Sequence, residues 1–556
     1  MQASRLKAAG FFHHARRDEK LLSIEVLVNL KFISRTSKFM ETRNFFFREL
    51  VQRRHHWLYR LMLLLGFFLT ASQLLNAAPP NIIVILSDDV GYGDLGCYGA
   101  TKIKTPHLDG LAREGLRFTD AHASAAVCTP TRYSLLTGQY SWRRDAVGLN
   151  RGVANGDSPL LIPVKAVTLP GILKQAGYHT GAVGKWHLGF GNSKPDYNQE
   201  LTPGPQAVGF DDFFGFPATN DRMPPVYLRG PRVVNLDPND PIKYSYDEAE
   251  ANAENLSRNA AGRQRIGWMS GGKSAWWKDA DIADTLTGEA LQFIERNRDK
   301  KFFLYFAPHD AHAPPIPHPR FAGTTGVSPR ADMVHELDWS VGEILKTLDR
   351  LGLSTNTLVI FSSDNGAYKD DEVVHHANAP YRGKKSQLWE GGHREPFIAR
   401  WPGHIARGVS DELVCLVDLP STAAAIVDYK LPVEAAPDSF NLLPVLLGET
   451  NAHPRDSLVV MSGKGDLAIR QGAWKYIPNL GVASGWEAGK PKAGTKLTGP
   501  GLYNLTDDPG ETNNLHAAQP DVSKRMDDLL EKIKSNQITR PASQAASTKQ
   551  NLPTGH

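Results

Sequence analysis

The chain is poor in cysteine: Cys97, Cys128 and Cys415 are the three among 556 residues. So few cannot form the disulfide framework of a small secreted domain. One Cys97–Cys415 bridge is possible, but two buried free thiols is the reading that the burial habit of unpaired cysteine favours. A long unbroken apolar run is missing too. The stretch Leu61 to Leu69, LMLLLGFFL, gives way to Thr70, Ser72 and Gln73, short of the ~20 residues that a membrane span requires. No internal repeat is visible, which sets aside repeat architectures. Nor does one charge sign prevail beyond the N-terminal segment. The formal net charge is +4, yet residues 1–60 hold thirteen Lys and Arg against five Asp and Glu, and no charge lies between Leu61 and Ala77, so the remainder nets −4. The basic balance that would suggest a nucleic-acid or membrane partner is thus confined to one end, and no nucleic-acid partner is expected.

What the chain does have is ordinary globular material, 41% hydrophobic and 22% charged, enough for a sizeable core. Arg53, Arg54 and Arg60 precede the apolar run, and Ala77 and Ala78 follow it. Basic flank, short apolar core and small residues read as a secretory signal, with a retained anchor as the alternative. The mature protein is expected to start near Ala78, in the periplasm or outside the cell, without a stable membrane anchor. Met40 reads as a plausible start, and residues 1–39 carry no fold signal.

From Pro79 on, the pattern is that of an α/β protein. Asn81–Leu86, Phe302–Phe306 and Thr357–Phe361 are continuous β-rich apolar runs, suited to strands covered on both faces. Helical spacing links Ile282, Leu286, Ala290, Phe293 and Ile294, and again Met333, Leu337, Val341, Ile344, Leu345 and Leu348. Alternation of the two implies a mostly parallel sheet flanked by helices. Residues 220–275 are irregular and read as an excursion over the active-site side, or as a surface insertion. Ser457–Met461, Leu467–Arg470 and Trp474–Ile477 read as short strands and Asp521–Ile533 as a helix, a small antiparallel sheet with one helix on it. The division expected is an extension and signal at 1–77, a catalytic domain at 78–454, a small C-terminal subdomain at 455–535 and a disordered tail at 536–556.

Polar residues cluster where strands end. Asp88 and Asp89 follow the first run, His309 and His312 the second, Asp364 and Asn365 the third. Ligands of open α/β sheets bind at the carboxyl ends of strands. Either acidic pair alone would serve as a cap or turn; together they offer oxygen donors to a hard divalent cation, Ca²⁺ or Mg²⁺, over Zn²⁺. Cys128-Thr129-Pro130-Thr131-Arg132 opens a helix, with Pro130 in its first turn. Cys128 then sits where free N–H groups favour an anion, and Arg132 lies one turn on, on the same face. On these grounds alone a low-pKa thiol nucleophile is an alternative.

CTPTR and its helix to Thr137-Gly138 resemble the signature of the type I sulfatases, in which the cysteine is oxidised to formylglycine. SDDVGYGDLGCYG at 87–99, GKWHLG at 184–189, APHDAHAP at 307–314, SSDNG at 362–366, RGKKSQLWEGGHREP at 382–396 and GLYNLTDDPGETNNL at 501–515 are similar to that family's segments, in its order. HAPPIPHPRF and PRADMVHELD, within 312–338, resemble the arylsulfatase A and N-acetylgalactosamine-6-sulfatase branch. The resemblance implies an alkaline-phosphatase-like α/β fold with a small C-terminal antiparallel sheet plus helix. It implies one Ca²⁺ held by Asp88, Asp89, Asp364, Asn365 and the modified Cys128, which Arg132 steadies. It matches Lys185 and Lys385 to the sulfate-binding lysines, His187 to the histidine on the formylglycine hydroxyl, and His312, with His309 as rival, to the histidine facing the leaving oxygen. Lys384 reads as a solvated neighbour, Gln387 and Trp389 as packing.

The implied chemistry is sulfate-ester hydrolysis, on a sulfated small molecule or carbohydrate. One hydroxyl of the hydrated aldehyde attacks sulfur and expels the alcohol; the other, deprotonated by His187, collapses the hemiacetal sulfate to the aldehyde and releases sulfate. A formylglycine-generating enzyme is implied as a maturation partner. The competing expectations are a phosphodiesterase or phosphonate monoester hydrolase on the same scaffold, and a non-catalytic binder of sulfated glycans that keeps Cys128.

Overall fold

The computed structural model describes residues 79–146, 148–150, 152–250, 265–369, 375–449, 452–487 and 497–541. The apolar run at 61–69, the signal reading and the tail beyond 541 lie outside the described residues. From Pro79 on, the chain forms one compact unit.

Its centre is one sheet. In chain order the strands are β1 (Asn81–Ser87), β2 (Leu116–Phe118), β3 (His179–Lys185), β4 (Asp212–Phe216), β5 (Leu228–Arg229), β6 (Arg232–Val233), β7 (Phe302–Ala307), β8 (Thr357–Ser363), β9 (Phe397–Arg400) and β10 (Gly408–Ser410). Across the sheet they run β10-β2-β9-β8-β1-β7-β3-β4-β5-β6. The five central strands, β8 to β4, are parallel, with Ile83 of β1 level with Val359 of β8 and Leu304 of β7. β9 and β5 flank them antiparallel.

Burial on both faces explains the unbroken apolar runs. Ile82, Val84 and Leu86 face one core with Phe303, Tyr305, Leu358 and Ile360; Ile83 and Ile85 face the other with Leu304, Phe306, Val359 and Phe361. Each such side chain contributes roughly 1.5–3 kcal/mol by leaving water. On the first face lie α2 (Cys128–Thr137), α3 (Leu169–Gln175) and α6 (Leu419–Ile426); on the second lie α1 (Pro106–Glu114), α4 (Ile282–Arg296) and α5 (Pro329–Arg350). The helical spacings read from the sequence are those of α4 and α5. Ser328 caps α5, its hydroxyl accepting from Ala331 N, with Pro329 at the first helical position, where a missing N–H costs nothing. No helix among the described residues is long and apolar enough to cross a membrane.

The C-terminal sheet is antiparallel in sequence order: β11 (Ser457–Met461), β12 (Leu467–Gln471), β13 (Trp474–Ile477) and β14 (Gly501–Asn504). β14 was not expected; its GLYN is too short to carry a pattern. Met526, Leu530 and Ile533 of α7 (Pro520–Ser535) join Leu458, Ile469 and Tyr476 in one cluster. The expected tail at 536–556 needs correction at its start. Thr539 N and Arg540 N reach Pro437 O at 2.9 and 2.8 Å, and the Arg540 guanidinium donates to the carbonyls of Pro432, Val433 and Ala435. The helix pattern stops at Ser535, but these polar groups still find partners in the core.

A buried ion network joins the small sheet to the segments around Asp120 and Glu390. Lys475 Nζ of β13 lies 3.1 Å from Glu390 and 2.8 Å from Glu511, and Arg470 of β12 lies 2.6 Å from Asp120. The grouping His122, Glu390 and His393 has metal-like spacing, but Lys475 and Arg470 already neutralise Glu390.

All three cysteines are free. Cys415 is buried as expected, whereas Cys97 is half-buried.

Candidate active site

Four strand ends, not three, build the site. β1 delivers Asp88 and Asp89, β8 delivers Asp364 and Asn365, β7 leads to His309 and His312, and β3 ends on Lys185 with His187 two residues on. β3 escaped the sequence reading because HTGAVGK carries two glycines and no apolar run. Both Asp89 and His187 are left-handed, at φ 60° and 57°, a strained conformation for residues with side chains.

Three carboxylates and three cations meet here, all buried. Arg132 of α2 donates from Nε to Asp364 Oδ2 at 2.9 Å and has its second nitrogen 2.7 Å from the same oxygen. Lys185 Nζ is 2.7 Å from Asp88 Oδ2 and 3.8 Å from Asp364. Lys385 Nζ is 2.6 Å from Asp89 Oδ1, to which Asn365 Nδ2 also donates at 2.7 Å. Burial pushes Asp88 up against the pull of Lys185, with Asp89 adding to the rise. Asp364 also rises through burial, against the pull of Arg132. At Asp89 burial opposes ionisation, but Lys385 and then His312 overcome it and hold the carboxyl below its ordinary range. Asp88 Oδ1 and Asn365 Oδ1 are buried with no hydrogen-bond partner among the described residues.

Cys128 is the first residue of α2, as read, and the whole helix is buried. Lys185, Lys385, Asp364 and Asp88 all act on its thiol electrostatically, yet burial dominates and pushes the thiol up. An unmodified thiolate is therefore disfavoured, against the low-pKa alternative. His187 accompanies it: Ala154 N donates to Thr129 in the first turn of α2 at 3.1 Å, and Ala154 O takes His187 Nε2 at 2.8 Å. Burial and then Lys185 keep that imidazole neutral.

Of the two histidines after β7, His312 reaches the cluster, its Nε2 3.9 Å from Asp89 Oδ2. Burial and then Lys385 lower it to about 4. His309, lowered by burial to about 3, sits instead beside Asp310 at 3.4 Å. Lys384 is half-exposed and pairs with Glu487 at 2.9 Å. Trp389 packs under Arg382 and against Tyr503 as expected, whereas Gln387 donates to Glu487 rather than only packing. Of the excursion at 220–275, residues 251–264 lie outside the described residues; the rest is not structureless, with β5, β6 and a short pairing of Lys243–Ser245 with Trp268–Ser270. Its start does border the site through Asn220, 3.0 Å from His312 Nδ1.

Sequence reasoning missed Asn220, and also Tyr305, whose hydroxyl accepts from Arg132 at 3.3 Å. Tyr305 could have been noticed as the one polar-tipped residue in FFLYF; Asn220 had no signal. Glu395 was missed too, a fully buried carboxyl without a hydrogen-bond partner among the described residues, pushed well up by burial and then by Asp364.

A buried cluster of carboxylates and cationic groups at the carboxyl end of a parallel sheet suits the hydrolysis of charged esters. The family model for sulfatases matches residues 80–429, and the chain belongs to that family. It is similar to an N-acetylgalactosamine-6-O-sulfatase of Bacteroides thetaiotaomicron, 43% identical over 83% of this chain and 94% of that one. It is similar to human arylsulfatase A, 36% identical over 86% and 91%. A solved structure from work on the metabolism of multiple glycosaminoglycans by Bacteroides thetaiotaomicron superposes with TM-score 0.77 at 42% identity, covering 83% of this chain and all of that one. The fold is thus the alkaline-phosphatase-like one of the sulfatases, and the protein is an enzyme that hydrolyses sulfate esters.

Proposed function

We propose that the substrate is a sulfated carbohydrate, that Cys128 acts as formylglycine, and that one Ca²⁺ is held by Asp88, Asp89, Asp364, Asn365 and the modified residue 128. The observation that carries this is the charge balance of the buried cluster. Asp88, Asp89 and Asp364 are matched by Arg132, Lys185 and Lys385, so an added divalent cation leaves a net positive site for an anion. The donor set fits: with residue 128 as formylglycine it is all oxygen, and Asp88 Oδ1 and Asn365 Oδ1 are buried without hydrogen-bond partners among the described residues, a cost that a hard cation removes. Bound Ca²⁺ would add positive charge against the sulfate oxygens.

As a hydrated aldehyde, residue 128 would supply one hydroxyl for attack on sulfur and a second whose deprotonation re-forms the aldehyde and expels the sulfate. The chain's own residues do the rest. Lys185 and Lys385 bind the sulfate and stabilise charge as the S–O bond breaks. Arg132, fixed by Asp364, steadies residue 128. His187, neutral, accepts the proton of the second hydroxyl. His312 gives a proton to the departing sugar oxygen; a sulfate anion on Lys385 offsets the charge that depresses His312 and so raises its proton affinity.

A secretory signal at 1–77 places the mature enzyme in the periplasm or outside the cell, and a catalytic region to 454 with a smaller C-terminal part is the proposed division. The formylglycine-generating enzyme is its proposed maturation partner.

The test is mass spectrometry of the peptide spanning Ala121–Arg132 together with rates on nitrophenyl sulfate, phosphate and phosphodiester. Loss of sulfur from Cys128, fastest turnover of the sulfate and an inactive Cys128→Ala variant are expected. Normal turnover in Cys128→Ala would overturn the mechanism, and a faster phosphodiester would point to the rival enzyme class.

A further inference from the structure

Residues 219–222 line the site without a part in the chemistry above. At one end Asn220 Oδ1 is 3.0 Å from His312 Nδ1. At the other, Arg222 Nε donates to Asn155 Oδ1 at 3.0 Å, next to the Ala154 whose carbonyl takes His187 Nε2 at 2.8 Å. Asp221 stands between, on the stretch that connects the two histidines. Its Oδ1 accepts from Arg222 at 2.9 Å and from the Thr219 hydroxyl. Its Oδ2 accepts no hydrogen bond from the described residues. The side chain keeps 24% of its exposure, where Asp88 and Asp89 keep 1% each. Burial opposes its ionisation, but Arg222, then His312, overcome it and hold the carboxyl below the ordinary range, and Lys385 acts on it too.

A carboxylate on the stretch that carries Asn220 to His312 repels the substrate's charged end. Its use must lie with the other end, the alcohol, which leaves on the His312 side. Sugar alcohols present hydroxyl donors next to the ester oxygen, whereas an aryl ring presents none. An ionised acceptor with a free lone pair is the group that recognises such a donor.

We propose that Asp221 is a specificity residue: its Oδ2 accepts a hydroxyl of the sugar ring that carries the sulfate, and Arg222 holds the carboxylate in place. The inference rests on the sulfated-carbohydrate reading and names the hydroxyl-bearing ring as what the site selects.

The experiment compares N-acetylgalactosamine 6-sulfate, its monodeoxy analogues and nitrophenyl sulfate in wild type, Asp221→Ala and the shape-conserving Asp221→Asn. Sites that hydrogen-bond a substrate hydroxyl discriminate strongly against its absence. In Asp221→Ala, kcat/KM on the sugar sulfate should fall at least about tenfold further than on the aryl sulfate, as expected for one charged hydrogen bond, with Asp221→Asn between. One monodeoxy analogue should be poor for wild type and carry no further penalty in Asp221→Ala. Equal losses on both substrates, no loss on the sugar, or an unchanged penalty for every deoxy analogue would overturn the proposal. A wild type that hydrolyses the aryl sulfate but no sugar sulfate sinks this inference and the carbohydrate reading; one that hydrolyses no sulfate ester sinks the function beneath both.

Discussion

Asn220 grips His312 at two points: Asn220 Oδ1 lies 3.0 Å from the ring Nδ1, and its Nδ2 donates to the His312 carbonyl at 3.5 Å. The carbonyl of Ala313 is also 2.6 Å from Nδ1. Both neighbours of Nδ1 are acceptors, so Nδ1 carries the hydrogen and Nε2, 3.9 Å from Asp89, is the atom left for proton transfer.

That geometry predicts a leaving-group signature. General acid catalysis is worth about 10²–10⁴-fold, and a sugar alcohol needs it more than nitrophenolate does. His312→Ala should therefore cost far more on a sugar sulfate than on nitrophenyl sulfate, and Lys185→Ala should cost both alike. Asn220→Ala should show the His312 pattern at smaller size, about tenfold. If His309→Ala shows the pattern instead, the acid has been placed on the wrong histidine.

Chelation should abolish activity, and Ca²⁺ should restore it. Asp89→Ala should lose the ion, which calorimetric titration of Ca²⁺ would read directly. Full activity in metal-free enzyme is the outcome that removes the cation from the site.

Lys475 is fully buried between Glu390 and Glu511, at 3.1 and 2.8 Å. Lys475→Met keeps the volume and leaves two carboxylates facing each other. Removing one partner of a buried pair costs about 3–5 kcal/mol, so the urea midpoint should drop by that equivalent. A change below about 1 kcal/mol would show that the network does not hold the small sheet to the core.

Asp338 of α5 accepts from Leu108 N at 2.8 Å and His107 N at 3.0 Å in the first turn of α1. Burial raises it to about 7 despite those bonds, from an ordinary 3.8. The folded state thus binds a proton between pH 4 and 7 that the unfolded state has released, and its stabilisation is present at low pH and lost as pH rises. At about 1.4 kcal/mol per pKa unit, Asp338→Asn should flatten the wild-type decline across that window by up to about 4 kcal/mol. Parallel stability–pH curves for the two proteins would contradict the shift.

The sequence alone determined the strands β1, β7 and β8, the helices α4 and α5, the polar residues that follow those three strands and those at the start of α2. Those are local facts: a strand buried on both faces needs an unbroken apolar run, a helix face repeats every three or four residues, and a carboxylate following a strand must lie at its end. Tertiary structure decided everything that depends on which strands become neighbours. β3 sits beside β7, so Lys185 meets Asp88 across 97 positions and Arg132 meets Asp364 across 232. His312 rather than His309 reaches Asp89, and Asn220 and Asp221 border the site from a stretch with no pattern at all. Periodicity reports which side of an element is buried, but the partner that a buried charge finds is set by sheet order and loop paths, where no residue spacing records it.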